Sequence, residues 1–537
     1  MESRSAHVDT FARDHLPPHE QWPELRFDLP ELRFPPLLNC ATELLDRRVA
    51  LGQGDRPCLL GQTERWTYAE LRARANRIAH VLVDDMGLVP GNRVLLRGPN
   101  SPMLAACWFG VVKAGGIVVG SMPLLRAKEL AQIINKAEVS HALCDSRLAE
   151  ELVLARPSCA TLREVEHFHG ATLEALAATK PGEFENVPTA ADDTCLIAFT
   201  SGTTGTPKGT LHFHRDVMAA CACWPAHVLR ARQHDVFIGS PPLAFTFGLG
   251  GLLLFPMAAG AASVLVEQAT PDELPAAIAR YGATICVSAP TAYRAMAVHG
   301  AASDFSSLRK CVSAGEALSA ATRKLWKELT RIEIIDGIGA TEMFHIFISH
   351  TEEDVKPGAT GKPVPGYTAC VIDDDLRPLA PGNVGRLAVK GPTGCRYLAD
   401  ARQREYVQGG WNVTGDAYLV DEDGWFVYQA RVDDMIVSGG YNIAGPEVES
   451  TLSLHPAVAE CGVVGVPDEE RGQCVKAFVV PRAGVEPSAE LVKELQDFVK
   501  QSIAPYKYPR AIEFVDALPR TETGKLQRFS LRKGSAA

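Results

Sequence analysis

The strongest constraint on how this 537-residue chain can fold is an alternation through its first four hundred residues, where apolar runs of strand length follow helical patterns one after another. Thr67 stands where a helix cap belongs, ahead of "YAELRARANRIAHVLVDDMG". "NRVLLRG" then reads as a strand, "PMLAACWFGVVKAGG" as a helix and "IVVGS" as another strand. The spacing predicts an α/β fold with a large N-terminal domain of layered sheets and helices. Near Gln429 to Asp434 the texture changes to a hairpin and a charged connector. We place the N-terminal domain at 1–430, a hinge at 431–433 and a small mobile α+β C-terminal domain at 434–537.

Within the alternation lies "TSGTTGTPKGT", from Thr200 to Thr210. It fails the P-loop pattern, because Pro207 replaces the second glycine and Gly209 follows Lys208 where a Ser or Thr should stand. Its composition still suits phosphate. Gly202 and Gly205 allow close backbone approach, and Thr200, Ser201, Thr203, Thr204 and Thr206 carry hydroxyls beside Lys208. A polar surface turn fits the composition equally well. "TCLIAFT" before it and "GTLHFHRD" after it are β-prone, so the loop is expected to join two strands, whereas a Walker loop opens a helix.

Composition narrows the function classes. A net charge of −10 argues against a nucleic-acid surface, so an anionic substrate would need local positive groups. The N-terminus has no apolar signal region, which points to the cytoplasm. Fourteen cysteines without C-x-x-C pairs suit buried free thiols. The uncharged span Phe247 to Val266 is long enough to cross a bilayer, but Pro256 and its glycines read better as a buried helix, a turn and a strand, with no membrane partner. His212 and His214 form an H-x-H pair without a third ligand in view and read as structural.

Six stretches in fixed order resemble the acyl-adenylate-forming superfamily of acyl-CoA synthetases, luciferases and adenylation domains: "TSGTTGTPKG", "SAGEAL", "GATE", "TGD", "RVDDMIVSGG" and "PRTETGK". By that resemblance the first loop, with Thr200, Ser201, Gly202, Thr203, Thr204, Gly205 and Lys208, holds the pyrophosphate end of ATP. Adenine lies between Ser313, Ala314, Gly315 and Glu316 on one side and Asp336, Gly337 and Ile338 on the other. Many family members have an aromatic residue where Ile338 stands here. The resemblance assigns Asp416 and Arg431 to the ribose, Glu342 to Mg²⁺ and Thr341 to the α-phosphate. It makes Lys525 the catalytic lysine, Asp433 the hinge about which the C-terminal domain rotates, and Gly440 the place where the CoA arm passes.

The family's chemistry needs positive charge, because a carboxylate and ATP are both anionic when the acyl adenylate forms; a thiol then displaces AMP. The stretches "DGIGATEMFHIFIS" and "AFTFGLG" look most like the bacterial benzoate and 2-aminobenzoate CoA ligases. That resemblance puts Thr246, Phe247, Gly339, His345 and Ile346 in the acyl pocket. Phe247 and Ile346 would be apolar walls, His345 a hydrogen-bonding group near the carboxylate, and Thr246 a hydroxyl for an ortho-amino group. The expected partners are an aromatic carboxylate, ATP and CoA, with 2-aminobenzoate favoured over benzoate and a homodimer left open. An enzyme that loads a carrier protein and a non-catalytic nucleotide binder are the alternatives.

Overall fold

The computed structural model describes residues 4–200, 207–300, 303–438, 441–468, 472–503, 505–520 and 526–534. Among these, a six-stranded sheet runs in the order Glu164–Phe168, His141–Asp145, Arg93–Arg97, Ile117–Ser121, Thr194–Thr200 and Lys208–Phe213. All its pairings are parallel except the last, a hairpin. Every residue of Arg93–Arg97 and His141–Asp145 is buried, as expected of parallel strands covered on both faces. Helix Tyr68–His80 begins with a reciprocal cap: the Glu70 N–H donates to the Thr67 hydroxyl at 3.2 Å, and the Glu70 carboxylate accepts from the Thr67 N–H at 2.8 Å. Helix Pro102–Lys113 starts at a Ser101 cap and is buried almost all round, so it lies between layers.

A second, nine-stranded sheet has a parallel centre that includes Val236–Gly239, Ile285–Ser288, Lys310–Ser313 and Ile334–Gly339. The uncharged span folds into it as short helices Thr246–Leu249, Gly250–Leu254 and Phe255–Ala259, a left-handed Gly260 (φ 69°) and strand Ala262–Val264. Among the described residues no helix is long and apolar enough to cross a membrane. All fourteen cysteines are free, and eleven of them are buried.

A third, antiparallel sheet contains Thr368–Ile372, Val384–Lys390, Trp411–Val420 and Phe426–Arg431. It ends at Arg431, a 3-10 turn covers Val432–Asp434, and a separate sheet begins at Ile436–Ser438. That sheet is built on the long hairpin Val458–Asp468 and Gly472–Pro481. Helix Ala489–Ser502 covers it, burying Leu491, Leu495 and Val499 against Val448, Leu452 and Val475. The first three sheets and their helices thus form a large layered α/β part, and a smaller α+β unit follows.

One edge of the six-stranded sheet is closed by a distant segment. The Leu211 N–H donates to the Arg396 carbonyl and the Leu398 N–H to the Gly209 carbonyl, both at 2.8 Å, and Thr210 bridges Tyr397. Arg396 and Asp216 form a fully buried ion pair. Asp216 also caps the following helix by accepting the Phe213 N–H at 2.9 Å, and the guanidinium lies 4.1 Å from the Phe213 ring centre. Among the described residues Nε and Nη1 of Arg396 and Oδ1 of Asp216 take no hydrogen bond, so the pair is incompletely compensated for its lost hydration. Arg396→Met should therefore lower stability by about 3–5 kcal/mol, whereas Arg396→Met with Asp216→Leu should recover most of the loss, read as urea midpoints of the three proteins.

Candidate functional site

Strand ends build the site. Thr200 closes one strand and pairs with Lys208, the first residue of the next, so the glycine-rich loop does join two strands. Its tip, with Ser201, Gly202, Thr203, Thr204 and Gly205, lies outside the described residues. Lys208 sets its ammonium over the Tyr397 ring, 5.2 Å from the centre.

In the second sheet Ser313 and Asp336 are register partners at the C-terminal ends of adjacent parallel strands, where open α/β sheets place ligands. Ala314 is buried, while Gly315 (φ 91°) turns the chain out to solvent and Glu316 accepts the Thr291 N–H at 3.4 Å. The Asp336 backbone N–H donates to Nε2 of His350, and Ser349 donates to the Asp336 carbonyl. Among the described residues Asp336 Oδ1 and the Ser313 hydroxyl are buried and neither takes a hydrogen bond of normal geometry, although the Ser313 side chain is close enough to favour the Asp336 charge. Burial raises the Asp336 carboxyl to about 7, with Arg323 opposing the shift. Gly337 meets Ile346 closely, and Ile338 is half-buried on the next turn of the strand.

Between Gly339 and strand Ile346–Ser349 the chain makes a tight turn through Thr341–Met343. Phe344 holds φ 72° and ψ −52°, a strained conformation for a residue with a side chain. Two groups from the first sheet fix this turn. His212 Nε2–H donates to the Thr341 carbonyl at 2.8 Å, and the His212 ring meets Phe344 edge-on at 5.0 Å. The Tyr397 hydroxyl donates to Oε1 of buried Glu342. Burial and the Glu342 charge push the Tyr397 hydroxyl well above its ordinary range, so it remains a donor. Burial holds His212 down at about 4, which keeps the ring neutral. His214, its neighbour in the H-x-H pair, accepts the Cys40 N–H at 3.2 Å with Cys195 beside them.

The third sheet supplies a carboxylate and a guanidinium. Asp416 and Arg431 are register partners on antiparallel strands, paired at 2.9 Å. Tyr406 lies within the electrostatic reach of both Glu342 and Asp416, and its hydroxyl is buried with no partner among the described residues. Asp433 is in the 3-10 turn that leads to the C-terminal sheet. Gly440 and Lys525 lie outside the described residues.

On the remaining side, His345 fills a ring-lined slot. Its centroid is 4.5 Å from Phe255, 5.5 Å from Phe247 and 5.6 Å from Trp224. Nε2–H donates to the Phe247 carbonyl at 3.3 Å, Nδ1 has no partner among the described residues, and burial pushes the ring down to about 3. A Cβ on Gly250 would stand 2.6 Å from this ring, and one on Gly339 would stand 2.7 Å from the His345 carbonyl, so both positions depend on glycine. Ile346 is buried at the start of its strand. Thr246 is buried one residue before Phe247 but on another face: with Leu249 and Leu253 it lines a cavity against the six-stranded sheet. Phe247, Gly250, Gly339, His345 and Ile346 are thus grouped, and Thr246 stands behind them.

Tyr397 and Tyr406 escaped the sequence reading, since neither belongs to a motif and both reach Glu342 through the fold. His212 carried a signal as half of the H-x-H pair, but not its partner.

Residues 46–397 match the AMP-binding enzyme family, and residues 447–525 match the AMP-binding enzyme C-terminal domain. The chain is 36% identical over 515 residues to a benzoate–CoA ligase of Thauera aromatica, covering 94% of this chain and 97% of that protein. It superposes on the crystal structure of an anthranilate CoA ligase in complex with anthranoyl-AMP with a TM-score of 0.90 at 35% identity, covering 94% of this chain and 99% of that one. A benzoate CoA ligase from Burkholderia xenovorans LB400 gives 0.85 at 33% identity, covering 92% and 100%. A chain with these strand-end carboxylates, spanned almost end to end by such relatives, belongs to the AMP-binding enzymes, the acyl-adenylate-forming superfamily.

Proposed function

We propose that this protein is an ATP-dependent aryl-CoA ligase that activates an aromatic carboxylate as its adenylate and passes the aryl group to CoA, with 2-aminobenzoate as the favoured acid. The observation that carries the reading is the set of strand-end groups that accompanies the loop between Thr200 and Lys208: the buried Asp336 carboxyl beside Ser313, the Glu342 carboxylate and the Asp416–Arg431 pair. Asp336 Oδ1 and the Ser313 hydroxyl suit the exocyclic amine of adenine. Asp416 suits two vicinal ribose hydroxyls.

Glu342 fits a divalent cation, because Tyr397 occupies only Oε1 and a carboxylate oxygen is a hard ligand. Mg²⁺ there would neutralise phosphate oxygens. Lys208 places fixed positive charge beside the same carboxylate's donor, Tyr397. Lys525 is the second cation of the reading, and Thr341, whose carbonyl His212 holds, presents its hydroxyl from a fixed turn. Rotation about Asp433 would exchange Lys525 for the CoA passage at Gly440.

Support for an aromatic acid comes from the walls. Neutral His345 among Phe247, Phe255 and Trp224 suits a flat apolar ring and repels no carboxylate. Support for 2-aminobenzoate comes from Thr246, a buried hydroxyl beside Phe247, and from the likeness to the anthranilate CoA ligase. Benzoate is the second reading, supported by the apolar surroundings of Thr246 and by the two benzoate CoA ligases.

The direct test is CoA-dependent AMP release over a panel of carboxylates without a carrier protein; release with no aryl acid would sink the proposal. The ratio of kcat/KM for 2-aminobenzoate to that for benzoate should fall a few-fold to about tenfold in Thr246→Val, the worth of one neutral hydrogen bond. In Glu342→Ala, pyrophosphate exchange should collapse while a supplied aryl-AMP is still converted to thioester; equal loss in both steps would remove the metal role from adenylation. Asp336 gives a pH signature. Its folded value near 7 exceeds the ordinary 3.8, so the protonated carboxyl's contribution to stability is complete below about 4 and lost as pH rises through about 7. Asp336→Asn should gain stability over wild type progressively between those limits and level off above, seen in urea midpoints across a pH series.

A further inference from the structure

The H-x-H pair beside the phosphate loop is divided by the fold: His212 faces the Thr341 turn, whereas His214 faces sulfur. Nδ1 of His214 lies 3.3 Å from Cys40 Sγ, and the ligand atoms of Cys40, Cys195 and His214 are all within 4.8 Å of one another. All three residues are buried, and among the described residues no other three metal-ligating side chains converge in this way. The backbone is shaped for the meeting. Thr194 pairs with Phe213 and Leu196 with His212, so Cys195 is the extra residue of a bulge, a device that re-aims a side chain. The Asp193 carbonyl accepts the His214 N–H at 3.2 Å, and the Asp193 carboxylate accepts the Ala6 N–H at 2.9 Å and pairs with Arg13. That carboxylate fixes the N-terminal arm here. The arm carries His7, which is within electrostatic reach of His214 and whose Nε2 is buried with no hydrogen-bond partner among the described residues.

As free thiols the two sulfurs are poorly used. Cys195 Sγ has the His212 carbonyl at 3.6 Å, and Cys40 Sγ shares the Nδ1 lone pair of His214 with the Cys40 N–H at 3.2 Å. That lone pair, aimed at Cys40, is the one that a metal ion takes. We propose that Cys40, Cys195, His214 and His7 form a structural zinc site. Four N and S ligands complete the tetrahedron of structural zinc, and two thiolates, two neutral imidazoles and Zn²⁺ sum to zero charge, as a dry interior demands. A monovalent soft cation on the same ligands would leave a buried negative charge. Binding releases the two thiol protons to solvent. His7 completes the site by rotation of its side chain toward the three groups that already converge. Zinc there ties the N-terminal arm to both flanks of the phosphate loop, because Cys195 is on the strand before the loop and His214 follows the strand after it. The site is separate from the Glu342 turn and does not depend on which acid is activated.

The test uses the full-length protein produced in zinc-supplemented medium, washed with a weak chelator and assayed for zinc per chain by plasma mass spectrometry. About one zinc per chain is expected in wild type and in Cys107→Ala, a buried thiol on another helix, and at most about a tenth of that in Cys195→Ala. His7→Ala should bind zinc about 10- to 100-fold more weakly in competition with a chromophoric chelator. Cobalt exchanged into the wild-type protein should give thiolate-to-metal charge-transfer absorption and the strong visible bands of tetrahedral coordination. That spectrum needs no variant, so it decides the matter even if Cys195→Ala does not fold. Wild-type protein that carries no zinc and shows no thiolate absorption with cobalt overturns the site, as does zinc that persists in Cys195→Ala. A His7→Ala protein with unchanged affinity removes the fourth ligand and overturns the four-coordinate centre. A Cys40–Cys195 disulfide in the freshly purified protein, found by peptide mass mapping without reductant, would make the pair a redox couple and overturn it equally.

Discussion

The buried Asp216–Arg396 pair is the constraint on which the rest of the site depends. An edge strand exposes a row of backbone donors and acceptors, and in this protein the segment around Tyr397 covers the edge at Lys208–Phe213. Taking both charges out of water is costly, so the pair persists only where the two segments meet in one register. That register brings Tyr397 between Lys208 and Glu342. His212 ties the same edge strand to Thr341. The loop and the turn, 130 or so residues apart in the chain, are thereby held as one unit.

Electrostatics within that unit are graded by burial. Asp336 and His345 both favour their neutral forms because the low-polarity interior penalises charge, and neither has a strong partner to reverse the effect. Asp416, by contrast, keeps an arginine. The crevice so offers a carboxylate with a positive partner, a carboxylate with a hydroxyl donor and a carboxyl held close to neutrality. Three different ligand groups could be told apart by those three environments, which suits an enzyme whose substrates share phosphate and carboxylate chemistry.

The two sides of the segment after Phe245 face different surroundings. A helix advances about 100° per residue, so neighbours in sequence face different ways. Thr246 and Phe247 are adjacent in the motif "AFTFGLG", yet Thr246 borders the cavity beneath Trp108 whereas Phe247 meets His345. A motif groups residues by order along the chain; a pocket groups them by direction. Glycine makes the distinction sharper, because Gly250 lets the His345 ring pack directly on the backbone where any side chain would collide.

By itself the sequence determined the elements and their order, because local periodicity and capping chemistry act within a few residues. Thr67 caps its helix, the Thr200 to Lys208 loop joins two strands, and the uncharged span becomes short helices, a turn and a strand, all as those patterns require. The motif resemblance likewise reached the family, since six short stretches in order need no structure to be recognised. Tertiary structure alone decided the rest. Tyr397 and Tyr406 belong to no motif, and only the fold brings their hydroxyls near Glu342. A buried hydrogen bond, or a donor left without one, is a relation between residues far apart in the chain. It exists only once packing has excluded water from both.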